Sequence, residues 1–494
     1  MGSYVPSTDV ERQEMLKSIN MSSFEELYHD VPKEMLLEGC FGGGNSGGHR
    51  LDIPSGKSEM QVSRAMRKIA DKNRLYRTIL RGAGAYDHYI PAIVKSVPAK
   101  EEFLTAYTPY QAEMSQGVLR SIFEYQTMIC ELTGMDVSNA SVYDGATATA
   151  EAAAMCRTRT RRVTLVSATT NPEVINTLRT YAYGSNDEVY VVPGKEGRTD
   201  AEALKNLLGE NTASFIVQQP NFYGQLEDCE ALGKLVHDAG AAYVMNCNPI
   251  ALGLLKTPAE CGADVAVGEG QPLGLELGFG GPYLGYMATT AKLMRQLPGR
   301  IVGETTDSEG NRAYVLSLQA REQHIRREKA GSNICSNEAL CALTASVYMA
   351  VMGPDGMREV ASQCLSKAHF LAEKLAGIEG VRLAYPGEFF HEFVTLLPED
   401  GANDAGQACC DASPGQEGAA SGNSADRRET AAVRRVLDAL DREGILGGLP
   451  VRVVGCGKED QGGTKANAIL WCVTEKAERA ELERTVQIVR DALR

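Results

Sequence analysis

From about residue 140 the chain alternates short β-branched runs with stretches of helical period, and this alternation restricts the fold more than any other feature. Val163 to Ser167, Glu188 to Val192, Ala213 to Val217, Ala241 to Asn246 and Asp264 to Gly268 read as strands, with helices filling the intervals. Repeated strand-helix units of this kind cannot pair as hairpins. They require crossovers and therefore a mostly parallel sheet covered by helices on both faces, an α/β fold. Upstream, Val118, Ile122, Tyr125, Ile129 and Leu132 recur at helical spacing, which predicts a helix from Ser115 to Leu132 that is buried on one side and stopped by Gly134.

The last third has a different pattern. Helices are expected over Asn337 to Met352 and Met357 to Ala376, followed by strands Phe393 to Leu397 and Ala468 to Val473 and helices Glu429 to Glu443 and Glu475 to Leu493. That reads as a smaller α/β domain beginning near Gly331. The expected division is an N-terminal helical arm over 1–80, a large domain over 81–330 and a small domain over 331–494. Three Gly-, Ser- or Asp-rich stretches, at 39–48, 400–426 and 455–465, read as insertions that carry no chemistry.

Charge excludes one class of function. Fifty Lys and Arg face 64 Asp and Glu, a formal balance of -14, and no basic stripe is segregated from the rest, so a nucleic-acid partner is not expected. No apolar run approaches the roughly 20 residues of a membrane span, and acidic residues in the first twenty do not fit a targeting peptide. A cytoplasmic location is the expectation. The 13 cysteines form no C-x-x-C pair and lie mostly in apolar stretches, as buried small hydrophobes do; Cys409 and Cys410 are exceptions, and no metal site is expected.

Several motifs can be weighed on their chemistry. Gly82-Ala83-Gly84-Ala85 lacks the third glycine and the preceding strand of a dinucleotide fingerprint, and no Walker A motif occurs. Asp144-Gly145-Ala146-Thr147 leads into an Ala-rich helix. Gly145, Ala146 and Thr147 therefore read either as a degenerate phosphate loop or as an ordinary helix entry capped by Asp144. The cluster Tyr107-Thr108-Pro109-Tyr110-Gln111 reads as a loop able to line a site, and the turn Gly278-Phe279-Gly280-Gly281-Pro282 lets backbone approach a ligand closely. Arg321, Glu322, His324, Arg326, Arg327 and Glu328 read as a solvated helix face laced by ion pairs, and Arg157 to Arg162 as cations at a helix C-terminus.

Read together, Tyr4-Val5-Pro6-Ser7-Thr8, Gly82 to Pro91, Ala106 to Ala148, Gly268-Glu269-Gly270-Gln271, Phe279 to Tyr283 and Gln323 to Ala330 resemble glycine decarboxylase, the P-protein of the glycine cleavage system, and within it subunit 1 (alpha) of the two-chain form. The resemblance implies the aspartate-aminotransferase-like fold of pyridoxal-phosphate (PLP) enzymes: a mostly parallel seven-stranded large domain and a smaller C-terminal α/β domain. It also implies the activity of a glycine dehydrogenase (aminomethyl-transferring). Glycine loses carbon dioxide and its aminomethyl group passes to the lipoyl arm of the H-protein, with PLP as the electron sink. The implied partners are subunit 2, in an alpha2-beta2 assembly, and the lipoylated H-protein.

The family chemistry needs a lysine just after the strand at Asp264 to Gly268 and an acid facing the pyridine nitrogen. This chain reads Gly270-Gln271-Pro272-Leu273 at the first place and Met245-Asn246-Cys247-Asn248-Pro249 at the second; Lys256 and Lys292 fit neither. No Schiff-base lysine is expected in this chain, so PLP is expected on subunit 2. Tyr107 to Gln111 with Gly280 and Gly281 are then candidates to line the partner's pocket. Asn248, Pro272 and Gly331 depart from the family's usual Asp, Ser and Thr. Two other readings stay open: a structural or regulatory partner of subunit 2, and a self-sufficient PLP enzyme with another lysine.

Overall fold

Seven strands build the central sheet: β1 (Val137–Ser138), β2 (Val163–Ser167), β3 (Glu188–Val192), β4 (Thr212–Gln219), β5 (Ala242–Cys247), β6 (Val265–Glu269) and β7 (Gly285–Thr289). Their order across the sheet is β1-β7-β6-β5-β4-β2-β3, with β7 antiparallel to both neighbours and β2 to β6 mutually parallel. The computed structural model describes residues 7–36, 56–104, 109, 111–334, 336–398, 429–453 and 467–494. The three expected insertions, Cys409, Cys410, Tyr107, Thr108 and Tyr110 lie outside them.

The strands are apolar on both faces because both are covered. Leu165, Phe215, Val217, Tyr243 and Met245 pack to one side, while Val166, Ile216, Val244, Val265 and Val267 pack to the other. That is the period-two alternation of a doubly covered parallel sheet. Helix α3 (Gln116–Thr133) buries Leu119, Ile122, Tyr125 and Ile129 and ends at Gly134, whose φ of 71° is the left-handed conformation that glycine adopts without a Cβ penalty. Helix α4 (Gly145–Met155) buries nearly all of its small side chains, so it sits close against the sheet. Helices α5 (Pro172–Ser185) and α6 (Cys229–Asp238) complete the crossovers that position the strand ends used below.

The chain then forms a hairpin, β8 (Ile301–Thr306) with β9 (Arg312–Ser317), before entering α7 (Ala339–Ala376). The two helices expected there are both present within this run: they are separated at Gly353, whose φ of 59° and ψ of -178° are not helical, beside Pro354, which cannot supply the backbone donor the preceding turn needs. A second sheet follows, in the order β10 (Arg382–Leu383), β11 (Glu392–Leu396), β13 (Ala468–Cys472), β12 (Leu449–Val451), with all neighbouring pairs antiparallel. Helices α8 (Ala431–Arg442) and α9 (Arg479–Ala492) pack on it through Val433, Val436, Leu440, Leu482 and Val489.

The chain separates into two compact units, Met1–Leu75 and Tyr76–Arg494. Two helices of the first, α1 (Asp9–Ser18) and α2 (Glu59–Ala70), each begin at a capping box, Thr8 with Glu11 and Ser58 with Gln61. Among the described residues no helix is long and apolar enough to cross a membrane.

Candidate functional site

In an open parallel sheet, ligands bind beyond the carboxyl ends of the strands. The described residues have a cleft of about 220 Å³ there. Gln218 at the end of β4, Asn246 and Cys247 at the end of β5, and Glu269 at the end of β6 form its floor. Gly145 and Ala146 of α4, Asn171 before α5, and Tyr86 and Tyr283 form the walls. Neither lysine nor arginine lines the cleft.

The helix entry at Gly145 is already filled by carboxylates of the chain. Asp144 accepts a hydrogen bond from Thr147 N at 2.7 Å, the ordinary N-cap. Glu269 Oε2 accepts from Gly145 N at 3.0 Å, and its Oε1 accepts from Gln271 N at 2.9 Å and Leu284 N at 3.1 Å. Burial pushes the Glu269 carboxyl up to about 7 despite these three donors, and the nearby Asp144 pushes the same way. The approach is close enough that a Cβ on Gly145 would lie 2.6 Å from Glu269 N.

At the place where the sequence lacks a lysine, Gln271 is fully engaged. Its Oε1 accepts from Tyr86 N at 2.9 Å, and its Nε2 donates to Tyr86 O at 2.9 Å and to Leu275 O at 2.8 Å. Tyr86 in turn donates its hydroxyl to the buried Glu392 at 2.8 Å. Lys256 is exposed and paired with Glu230, on α6.

The sequence candidates fall in different places. Gly145 and Ala146 line the cleft, whereas Thr147 is buried with its amide held by Asp144. Pro109 is buried and Gln111 exposed. Gly280 and Gly281 belong to an exposed turn closed by Gly281 N donating to Gly278 O at 2.8 Å, and Phe279 at its tip is 96% exposed. Glu269, Asn171 and Gln218 were not singled out by sequence reasoning. The acid in Gly268-Glu269-Gly270-Gln271 was visible, but its partner at Gly145 lies 124 residues away.

The strand order, the single antiparallel strand and the long helix leading to a second sheet define the PLP-dependent transferase fold, here with a cleft that lacks the lysine. Glutamate decarboxylase of Lactobacillus brevis shares that fold at TM-score 0.61 and 14% identity over 96% of both chains. The chain belongs to the glycine cleavage system P-protein family, whose profile matches residues 2–409. It is 53% identical over 400 residues, 80% of this chain and 88% of the relative, to a probable glycine dehydrogenase (decarboxylating) subunit 1 of Carboxydothermus hydrogenoformans. A protein of the same description from Desulforamulus reducens is 44% identical over 97% of both chains. A crystal structure of glycine decarboxylase (P-protein) in inhibitor-bound form superposes at TM-score 0.82 with 39% identity over the whole of both chains.

The residues of the cleft do not fit PLP. A phosphate at the start of α4 would meet two carboxylates instead of free N–H groups, Asn246 offers a neutral amide where a pyridinium needs an acid, and Gln271 offers no amine.

Proposed function

We propose that this chain is subunit 1 of the glycine cleavage P-protein and that it acts only together with subunit 2. The pair decarboxylates glycine: the bond from the α-carbon to the carboxylate breaks, carbon dioxide leaves, and the aminomethyl group passes to a sulfur of the lipoyl disulfide on the H-protein, which is reduced. Subunit 2 holds PLP, the cofactor that supplies the electron sink. The assembly is an alpha2-beta2 heterotetramer in the cytoplasm. The observation that carries this reading is the occupied cleft, in which Glu269 and Asp144 fill the anion position of a fold otherwise intact.

This chain's contribution is then to complete the neighbouring pocket. Tyr107, Thr108, Pro109, Tyr110 and Gln111, with the turn at Gly280 and Gly281, are the segments proposed to face it. Phe279 is the kind of exposed aromatic that an interface covers. In the same proposal, residues 81–330 are the large domain and 331–494 the small one, preceded by an arm over 1–80.

Glycine-dependent exchange of labelled carbon dioxide, measured for subunit 2 with and without this chain, tests the reading. Exchange is expected only when both are present. The purified chain alone is expected to show no borohydride-sensitive visible absorbance, and Tyr110→Phe to lower exchange while co-purification persists. Exchange by this chain alone would instead support a self-sufficient enzyme. Full exchange by subunit 2 under stabilising conditions without it would reduce this chain to a scaffold.

A further inference from the structure

The charge run at Arg321 to Lys329 does not have the form its sequence suggests. It folds as three successive short turns, Gln319–Arg321, Gln323–Arg326 and Arg327–Lys329, instead of one helix laced by ion pairs. Arg327 adopts φ 54° and ψ -127°, a region in which a side chain is strained and which persists only when its surroundings enforce it.

Beside these turns lies a cavity of about 350 Å³, within the range of small-molecule sites. Arg157, Arg295, Arg321, Arg326 and Lys329 contribute cationic groups to its wall. Arg157 is already committed to Asp187 and to Ala154 O. Arg321 donates one Nη to Gly299 O at 2.6 Å, but its buried Nε has no acceptor. Among the described residues, the side chains of Arg295, Arg326 and Lys329 make no ion pair or hydrogen bond.

Two carboxylates, Glu151 and Glu322, share the wall and are outnumbered by these cations, and the buried Glu322 Oε1 has no hydrogen-bond partner among the described residues. Glu322 is buried facing Arg300 at 4.0 Å and His324 at 3.7 Å. Burial pushes the Glu151 carboxyl up from its ordinary range, opposed by hydrogen bonds with Ser332 and Tyr181 and by the nearby Arg157. Three free cations and an orphaned guanidinium N–H therefore converge on one cavity in a chain whose formal charge is -14.

We propose that this cavity is an anion site that takes a phosphate group, either free or as the monoester of a small molecule. A phosphate brings nearly two charges and several acceptor oxygens, which match the Arg321 Nε and the exposed cations around it; a single carboxylate would leave most of these donors unused. The site differs from the cleft described above. It lies along the C-terminal half of α4, where Glu151, Ala154 and Met155 border it, so side chains and not helix-end amides supply the positive potential. The proposal does not depend on the activity assigned to the complex.

Isothermal titration of the full-length chain at fixed ionic strength, with chloride as reference, tests it using orthophosphate and ribose 5-phosphate. Saturable one-to-one binding is expected for at least one of them. It should weaken roughly tenfold or more in Arg326→Gln/Lys329→Gln and in Arg295→Gln, and remain unchanged in Lys234→Gln on α6. All the replaced side chains are exposed, and matching circular dichroism will show that the variants fold. Tighter binding of the monoester assigns the site to a phosphorylated metabolite, and equal or tighter binding of orthophosphate to the free ion. Absence of saturable binding, or binding that survives both sets of substitutions, overturns the proposal.

Discussion

Glu269 is the residue that most changes the meaning of the cleft. Three backbone N–H groups would ordinarily hold a carboxyl below its usual range, yet burial outweighs them and lifts it to about 7 from 4.5. The folded state therefore binds this proton more tightly than the unfolded one. Its stabilising contribution is fully present below about pH 4.5 and is lost as pH rises through about 7. Glu269→Gln removes that dependence. Melting temperatures of both proteins at about pH 5 and about pH 8 should show the wild type's advantage over the variant shrinking at the higher pH; an advantage that grows would mean the carboxyl is depressed instead. Glu392, also lifted to about 7 by burial, is present in both proteins and cancels in the comparison. No pattern in the sequence reveals this role, because it arises from the meeting of a strand end with a helix start far away in the chain. The reading that Gln271-Pro272 stands where the fold's catalytic members carry a lysine is of the opposite kind: it needs only the local sequence and the fold's requirement.

At the scale of elements, the parallel strands were legible because burial on both faces demands continuous β-branched and apolar runs. Val163–Ser167 and Glu188–Val192 match their expected bounds, and β4, β5 and β6 differ by one or two residues at their ends. The hairpin of β8 and β9 was not read, since Glu304, Thr305, Thr306 and Arg312 are exposed and carry little hydrophobic signal. Helix α4 shows what such patterns miss. Its small residues suggest a buried helix, but the close seat of Gly145 on β6 is a matter of tertiary distance. Gly145→Ala places a Cβ 2.6 Å from Glu269 N, a backbone atom that cannot rotate away, and should cost about 1–3 kcal/mol and lower the melting temperature. Gly117→Ala near the start of α3 meets nothing within 4 Å and serves as the control, with unchanged or slightly raised stability. Equal melting temperatures for the two variants would show that α4 is not seated as described.

For the whole molecule, the question is whether the two sheets unfold separately. Helix α7 argues that they do not. Past the break at Gly353, Ala361 and Cys364 pack in the core of the seven-stranded sheet, while Ala368, Leu371, Ala372 and Leu375 of the same helical segment pack in the core of the four-stranded sheet. His88, preceding the first core, also bonds Glu475 beyond β13 at 2.7 Å. Melting either sheet therefore exposes part of a helix on which the other depends, and that shared burial couples them. The chain carries one tryptophan, Trp471 on β13, fully buried and donating its indole N–H to Thr395 at 2.8 Å. Its fluorescence reports on the four-stranded sheet alone, whereas far-ultraviolet ellipticity reports on all the helices. In urea the Trp471 transition and the main loss of ellipticity should share one midpoint, and the destabilising Gly145→Ala in the distant α4 should move both together. If Trp471 instead became exposed at its own midpoint and ignored that substitution, α7 would be a tether between two independent folds and not a coupling between them.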